Sequence, residues 1–586
     1  MKDVTRRNFM TLAATAAVGA AAVNAEAATH EGHHRKETMD EVAATVPDTG
    51  AEFTPDLVLD AAFVIKTIDG VKMKLRAYNG QIPGPMITSK AGVTLNIRVK
   101  NSLTTYDSTG WGGDMDVPHM LDHTNLHLHG LDIAPHIFEP LGTSDVLAPM
   151  IAIAPGEYKD YPFVIPQDQS PGLNWYHPHS HGATAVQAVS GMAGGLIITG
   201  AIDEVPEIKV AKDYPLVVQD IGLFPTNEPH ADYSDSYEPK QNAIWQTFGG
   251  NVTIDGKQTD PAQHCGFTTG DYALRYYLVN GEPFFKETHN AANPPDPTPL
   301  QMTPQVFKMR PGEVARFRFL NACSDLMMPL QVEGHDMHLL AMDGNNFDAP
   351  RFRPYVNNAP QVILGPANRA EFLIKAVTKP GTYKIQQLPQ SQQFLAAVAK
   401  TIAVIQVAGD PMNMDLPKTL PPITRDPPIE DKDIKNVRYF VFSSVFPGKD
   451  NPVVGIDFLI NNQIYDEFAV PTIVTLGECE EWHIVVPDSA RGGTEGHPFH
   501  IHVNDFEVKA IAGIEQPPGT IQDTIWVAQD TASVIRMRFK EWVGKSVFHC
   551  HILPHEDTGM MQNFLILEKR PHHMHEKSIL SLGSKV

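Results

Sequence analysis

At 586 residues the chain is too long for a single hydrophobic core, so three or so domains are expected. It carries 46 Lys and Arg against 68 Asp and Glu, a formal net charge of -22, which argues against nucleic acid or an anionic membrane surface as partner. Four cysteines are too few for a disulfide scaffold, while 48 Pro, 43 Gly and short β-branched runs point to an all-β chain with many turns.

The N-terminus reads as an export signal. Thr5-Arg6-Arg7-Asn8-Phe9-Met10 is a twin-arginine pattern, an alanine-rich run follows from Thr11 to Val23, and Ala25-Glu26-Ala27 offers a small-residue cleavage site. Residues 1–27 are therefore read as a signal peptide for the machinery that recognises the paired arginines, and the polar residues 28–50 as a disordered tail. No cysteine follows the run to take a lipid, and no later apolar stretch is long enough to span a bilayer. The expected mature protein has no membrane anchor and is periplasmic or secreted.

Three later segments share a theme: Ala91-Gly92 leading to Asn101, Pro311-Gly312 leading to Asn321, and Leu476-Gly477 leading to Val486. Each is a Gly turn followed by alternating apolar and polar residues, the pattern of a half-buried strand. A His-containing strand follows each one, at His127-Leu128-His129, His335 to His338, and His500-Ile501-His502. The first copy also carries an insertion rich in Asp and Gly around 105–118. Such self-similarity predicts three related β-domains, at 51–203, 204–410 and 435–570. A Pro-rich linker at 411–434 and a C-terminal tail at 571–586 complete the chain. His335 and His338 lack the His-x-His spacing, so the middle domain is read as a spacer without metal.

Four His-rich clusters remain: His127/His129; His177, His179 and His181; His497, His500 and His502; and His549-Cys550-His551 with His555, Glu556 and Met560. In a strand, successive side chains point to opposite faces, so Cys550 faces one way and His549 and His551 the other. A thiolate, two imidazoles and a distant thioether make a blue-copper electron-transfer site. Cys550, His555 and Met560 supply three of these donors, and His497, which lies outside the His500/His502 pair, can turn toward Cys550. If the first and third domains pack together, eight imidazoles from these clusters would converge where they meet. The His-rich tails (His30, His33, His34; His572, His573, His575) and the linker methionines Met412 and Met414 are read as solvated and incidental.

The four clusters, in this order, resemble those of the multicopper oxidases, specifically the three-domain bacterial laccase-like and bilirubin-oxidase-like members. The resemblance implies three cupredoxin-like Greek-key β-barrels and four copper ions. It implies a type 1 copper on His497, Cys550, His555 and Met560, and a type 2 copper on His127 and His500. It also implies two type 3 coppers, one on His129, His177 and His551 and the other on His179, His502 and His549. His181 belongs to the motif without being a family ligand. The family places a proton-delivering acid at Glu556 and a second after the first His pair, where Asp145 fits by spacing and Glu139 is a rival. The implied activity is one-electron oxidation of a small organic reductant coupled to reduction of O2 to water. Cu(I) is an alternative reductant, and a copper-free structural or cell-division role on the same fold is a third reading. Whether Cys265 and Cys323 pair is open at this stage.

Overall fold

The computed structural model describes residues 53–568 apart from 105–112, 114, 117, 224–234, 237–252, 255–256, 259–273, 291–292, 353–361, 393–394, 424–425, 446–456, 488–494. The export signal, both tails and Cys265 lie outside the described residues.

The three Gly-led segments become strands Thr94–Asn101, Val314–Asn321 and Cys479–Val486, and each has the same two neighbours. On one side a long strand runs parallel: Leu57–Ile68, Lys212–Leu223 and Ile434–Val445 in turn. On the other an antiparallel strand follows: Tyr158–Val164, Arg369–Lys375 and Thr531–Arg538. The repeat legible in the sequence is thus a repeat of topology. In each copy a second sheet faces the first across a core of aliphatic and aromatic side chains. The result is an all-β molecule of three cupredoxin-like barrels.

One expectation is modified. Thr94–Asn101 alternates as anticipated, with Leu95, Ile97 and Val99 inward, but Val314–Asn321 is buried along its whole length. Its polar face is covered by the first barrel. Arg316 donates to Asp203 Oδ1 at 2.6 Å and to Glu371, and Glu371 also accepts the Leu173 N–H from the first barrel. Arg316 and Arg318, both buried and both paired with Asp203, therefore make this strand a domain contact instead of a solvent face.

The middle barrel holds no group of three metal donors among the described residues. Its His335 is satisfied locally: Nδ1 lies 2.7 Å from Glu333 O, and Nε2 accepts the Val377 N–H at 3.2 Å. The linker packs back on this barrel, with Met414 and Leu416 against Ile208, Val314 and Leu340. No helix among the described residues is long and apolar enough to cross a membrane.

Candidate metal centre

The site-bearing elements are β1 (His127–His129), β2 (Gly172–His177) and α1 (Thr184–Val189) of the first barrel. The third barrel supplies β3 (His497–Ile501), β4 (Thr524–Val527), β5 (Gly544–Cys550), α2 (Leu553–Glu556) and β6 (Met561–Leu567). β1 pairs antiparallel with β2, setting His127 opposite His177. β3 lies between β4 and β5, with His500 opposite His549 and Phe499 opposite Cys550. Strand alternation does what the sequence implied: Cys550 joins the third barrel's core, whereas His549 faces the first barrel. α2 begins with a Pro at its first turn. Met560 donates its N–H to His555 O at 2.9 Å, closing the loop that returns to β6.

Two donor assemblies result. In the first, Cys550 Sγ lies 3.4 Å from His497 Nδ1 and 3.8 Å from His555 Nδ1. The Ile552 N–H points at the sulfur from 3.4 Å. Met560 is fully buried in the same core. The outward nitrogen of His555, Nε2, lies 3.1 Å from Glu495 Oε1, and Phe458 stacks on the ring at 4.1 Å.

In the second assembly, eight imidazoles meet between the first and third barrels. They form three groups of donors lying within 4.8 Å of one another: His127, His129 and His500; His129, His177 and His551; His179, His502 and His549. All eight are buried. Burial, followed by the neighbouring rings, depresses their pKa values, His177 to about 3 and, by burial, His549 to about 4. They are neutral at physiological pH, the form a metal needs.

Hydrogen bonds assign the tautomers. His136 donates from Nδ1 to Ala134 O, so its Nε2 accepts from His127 Nδ1 at 3.0 Å. His500 Nδ1 donates to Asp523 O at 2.9 Å, His177 Nδ1 to Pro178 O at 2.8 Å and His549 Nδ1 to Cys550 O at 3.0 Å. His129 is the reverse, with Nε2 3.2 Å from Asp523 Oδ1. Each of these five rings therefore turns a bare lone pair toward the cluster. His127 Nε2, His129 Nδ1, His177 Nε2, His500 Nε2 and both nitrogens of His551 are buried without hydrogen-bond partners. His179, His502 and His549 crowd their Nε2 atoms together at 3.1 and 3.3 Å. Buried, unpaired acceptors facing one another are unfavourable alone, and bound cations remove the penalty. A thiolate–imidazole–thioether set beside an all-imidazole set is the donor chemistry of copper, so the residues present fit that metal.

Multicopper oxidase family profiles match residues 63–121 and 117–202, 243–408, and 433–570. The chain belongs to the multicopper oxidases. It is 24% identical to a laccase of Bacillus stratosphericus over 561 residues, covering 90% of this chain and 98% of that one. It is also 24% identical to a multicopper oxidase of Staphylococcus haemolyticus, covering 83% and 82%. Among solved structures, a multicopper oxidase from Campylobacter jejuni described as a metallo-oxidase superposes with a TM-score of 0.62 at 23% identity, covering 87% and 91%. A laccase-like multicopper oxidase from the lignin-degrading bacterium Ochrobactrum sp. gives 0.60 at 21%, covering 87% and 99%. As a multicopper oxidase the chain is a copper-dependent oxidoreductase using O2. Bound copper supplies one-electron redox chemistry and the O2-binding centre, and the protein supplies position, proton donors and exclusion of water.

The acids divide sharply. Glu556 is fully buried, with Oε1 3.4 Å from His179 Nδ1 and Oε2 3.2 Å from His549 Nδ1. Neither oxygen is aligned for a hydrogen bond to either ring. Burial, then the neighbouring Asp557, pushes the Glu556 pKa well up. Asp557 accepts N–H groups from Gly182 (2.8 Å), Thr184 (3.3 Å) and Ala185 (2.7 Å), capping α1 across the domain boundary.

Asp145 is a correction to the expectation from spacing. It is exposed, its carboxylate accepts the Leu147 N–H of its own loop, and no hydrogen bond or ion pair joins it to a cluster imidazole among the described residues. Its rival Glu139 is also exposed and pairs with Lys159. The carboxylate that does reach the cluster from this side is Asp523, which touches His129 and accepts two hydrogen bonds from Arg369, at 2.9 and 2.7 Å. Arg369 comes from the middle barrel and also reaches Asn174 Oδ1 at 3.2 Å. Gly130 has φ +94° beside it, and any Cβ there would collide with both groups, which accounts for the glycine directly after His129.

Sequence reading missed Asp523, Arg369, His136, Asp557 and Glu495. Asp523-Thr524 stands just after a turn and carries no periodic signal. Glu495 is two residues from His497 and could have been noted on proximity alone.

Because the imidazoles come from two barrels, metal binding and domain docking are linked. The copper-loaded protein is expected to melt above the apo form, by about 4 kcal/mol of extra stability per site at a thousandfold excess of metal over Kd. Calorimetry of both forms checks this, and equal melting temperatures would count against an interdomain centre.

Proposed function

We propose that the chain is a laccase-like oxidase of phenols and aromatic amines with four coppers. In this reading His497, Cys550, His555 and Met560 hold the type 1 ion, and His127 and His500 the type 2 ion. His129, His177 and His551 hold one type 3 ion, and His179, His502 and His549 the other. Glu556 delivers protons to the cluster. The covalent neighbours His549 and His551 give electrons a short path from Cys550. Export by the twin-arginine route belongs to the same reading and rests on residues 5–27.

The observation that carries the substrate class is the outward edge of His555. Among the described residues it is bordered by a carboxylate, Glu495, and an aromatic face, Phe458. A hydrogen-bond acceptor beside an aromatic ring suits a phenol O–H or aniline N–H. A gate for Cu(I) would favour thioethers there. The same carboxylate would also attract a cation, so Cu(I) remains the competing reductant.

Steady-state oxidation of a dimethoxyphenol and of a Cu(I) complex by the copper-loaded enzyme separates the two. The expected result is phenol turnover with no requirement for added copper. Far better turnover of Cu(I), or phenol oxidation only in excess copper, would replace this reading with that of a cuprous oxidase.

A further inference from the structure

The middle barrel supplies none of the donor groups among the described residues, yet it grips the metal centre. Arg369 opens the strand Arg369–Lys375 and is fully buried. Its five guanidinium N–H groups are all taken. Nε donates to Leu173 O and Nη2 to Asn174 Oδ1, each at 3.2 Å, in the first barrel. Nη1 donates to Ala367 O of its own barrel at 3.3 Å. The two remaining N–H groups hold both carboxylate oxygens of Asp523 in the third barrel. One side chain thus ties three barrels together. Glycines let the backbones close around it: a Cβ on Gly172 would stand 2.7 Å from Gly344 O, and one on Gly344 2.5 Å from Asn174 Oδ1. Asn368 adds to the grip, donating from Nδ2 to Thr524 O at 2.8 Å and to Asp343, which also accepts the Arg369 N–H at 2.9 Å.

Asp523 and Thr524 in turn hold two cluster rings. His500 Nδ1 donates to the Asp523 carbonyl, which the backbone fixes. His129 Nε2 donates to the Asp523 side chain, whose Oδ1 also accepts from Thr524 Oγ1 at 2.8 Å. A carboxylate can turn about its own bond, and a two-pronged guanidinium contact fixes its plane. The consequence falls on His129, the imidazole common to two donor groups, one with His127 and His500, the other with His177 and His551. His127, His177 and His500 give away Nδ1–H and turn Nε2 to the cluster, whereas His129 gives away Nε2–H and turns Nδ1 to it. Nδ1 is the ring nitrogen nearer the backbone, so this choice sets where the ring stands relative to an ion.

We propose that Arg369 is a positioning residue for the O2-reducing centre. By clamping Asp523 it holds His129 in its Nε2–H form, so that Nδ1 meets the metal and the ring is committed to the ion it shares with His177 and His551. The inference rests on the ligand assignment proposed above, and it gives the barrel without donor groups a part in the chemistry.

Arg369→Lys keeps the positive charge beside Asp523 and removes the two-pronged contact. The full chain is loaded with copper, and retained blue absorption reports an intact third barrel. Copper content against a graded chelator and electron paramagnetic resonance are then compared with the wild type. The variant is expected to hold cluster copper roughly 10- to 100-fold more weakly and to lose the spin coupling between the type 3 ions, with the blue band unchanged. Asp523→Asn, which keeps the side chain's volume, replaces it if the blue band is lost. A residue that only fastens domains would lower the melting temperature while copper retention and spin coupling stay at wild-type values, and that result overturns the proposal. So would a copper-loaded crystal structure of the wild type with His129 bound through Nε2. Wild-type protein that shows no coupled pair would strike the ligand assignment itself, and the proposal with it.

Discussion

Cys550→Ser is expected to remove the intense blue absorption entirely and to reduce turnover below detection while the fold survives. Cys550 is fully buried at the end of β5, its sulfur facing His497 and His555. Burial pushes its thiol pKa well up, so without metal it is a neutral core side chain. Serine is slightly smaller and makes a tolerable core substitute, hence the retained fold. Its hydroxyl resists deprotonation and offers hard oxygen where soft sulfur is needed, so the metal–thiolate chromophore cannot form. The residue is also the covalent link between the two donor assemblies, so electron entry and O2 reduction are uncoupled together. Visible absorption, copper content and circular dichroism check the three parts. A persisting blue band would reassign the ligand.

Glu556→Gln is expected to slow reoxidation by O2 on the order of 10²-fold, with anaerobic bleaching of the blue colour by substrate left at the wild-type rate. Reduction of O2 to water consumes protons, and Glu556 lies against His179 and His549 with no exposed surface. Burial, then the neighbouring Asp557, raises its pKa well above the usual carboxylate range, which favours the protonated acid beside the cluster. Glutamine keeps the shape and has no proton to give. Stopped-flow measurement of the two half-reactions separates them. Wild-type rates in both would make Glu556 a bystander.

The donor residues were legible in the sequence because their chemistry is local. Strand alternation alone sets Cys550 and His549 on opposite faces, and a Gly turn with period-two apolar residues marks each central strand before any pairing is known. The same locality misled at Asp145, which spacing along the chain suggested and whose loop carries the side chain into solvent. What supports the donors was decided only in three dimensions. His129 and Asp523 are 394 residues apart in the chain, and Arg369 reaches Asp523 from the middle barrel, which among the described residues holds none of the donor groups. Asp557 caps a helix of another domain, and Glu495 meets His555 rather than its sequence neighbour His497. Periodicity fixes which face a side chain takes. Which distant carboxylate then meets it depends on how whole barrels dock, and burial at that junction sets the protonation states on which the chemistry rests.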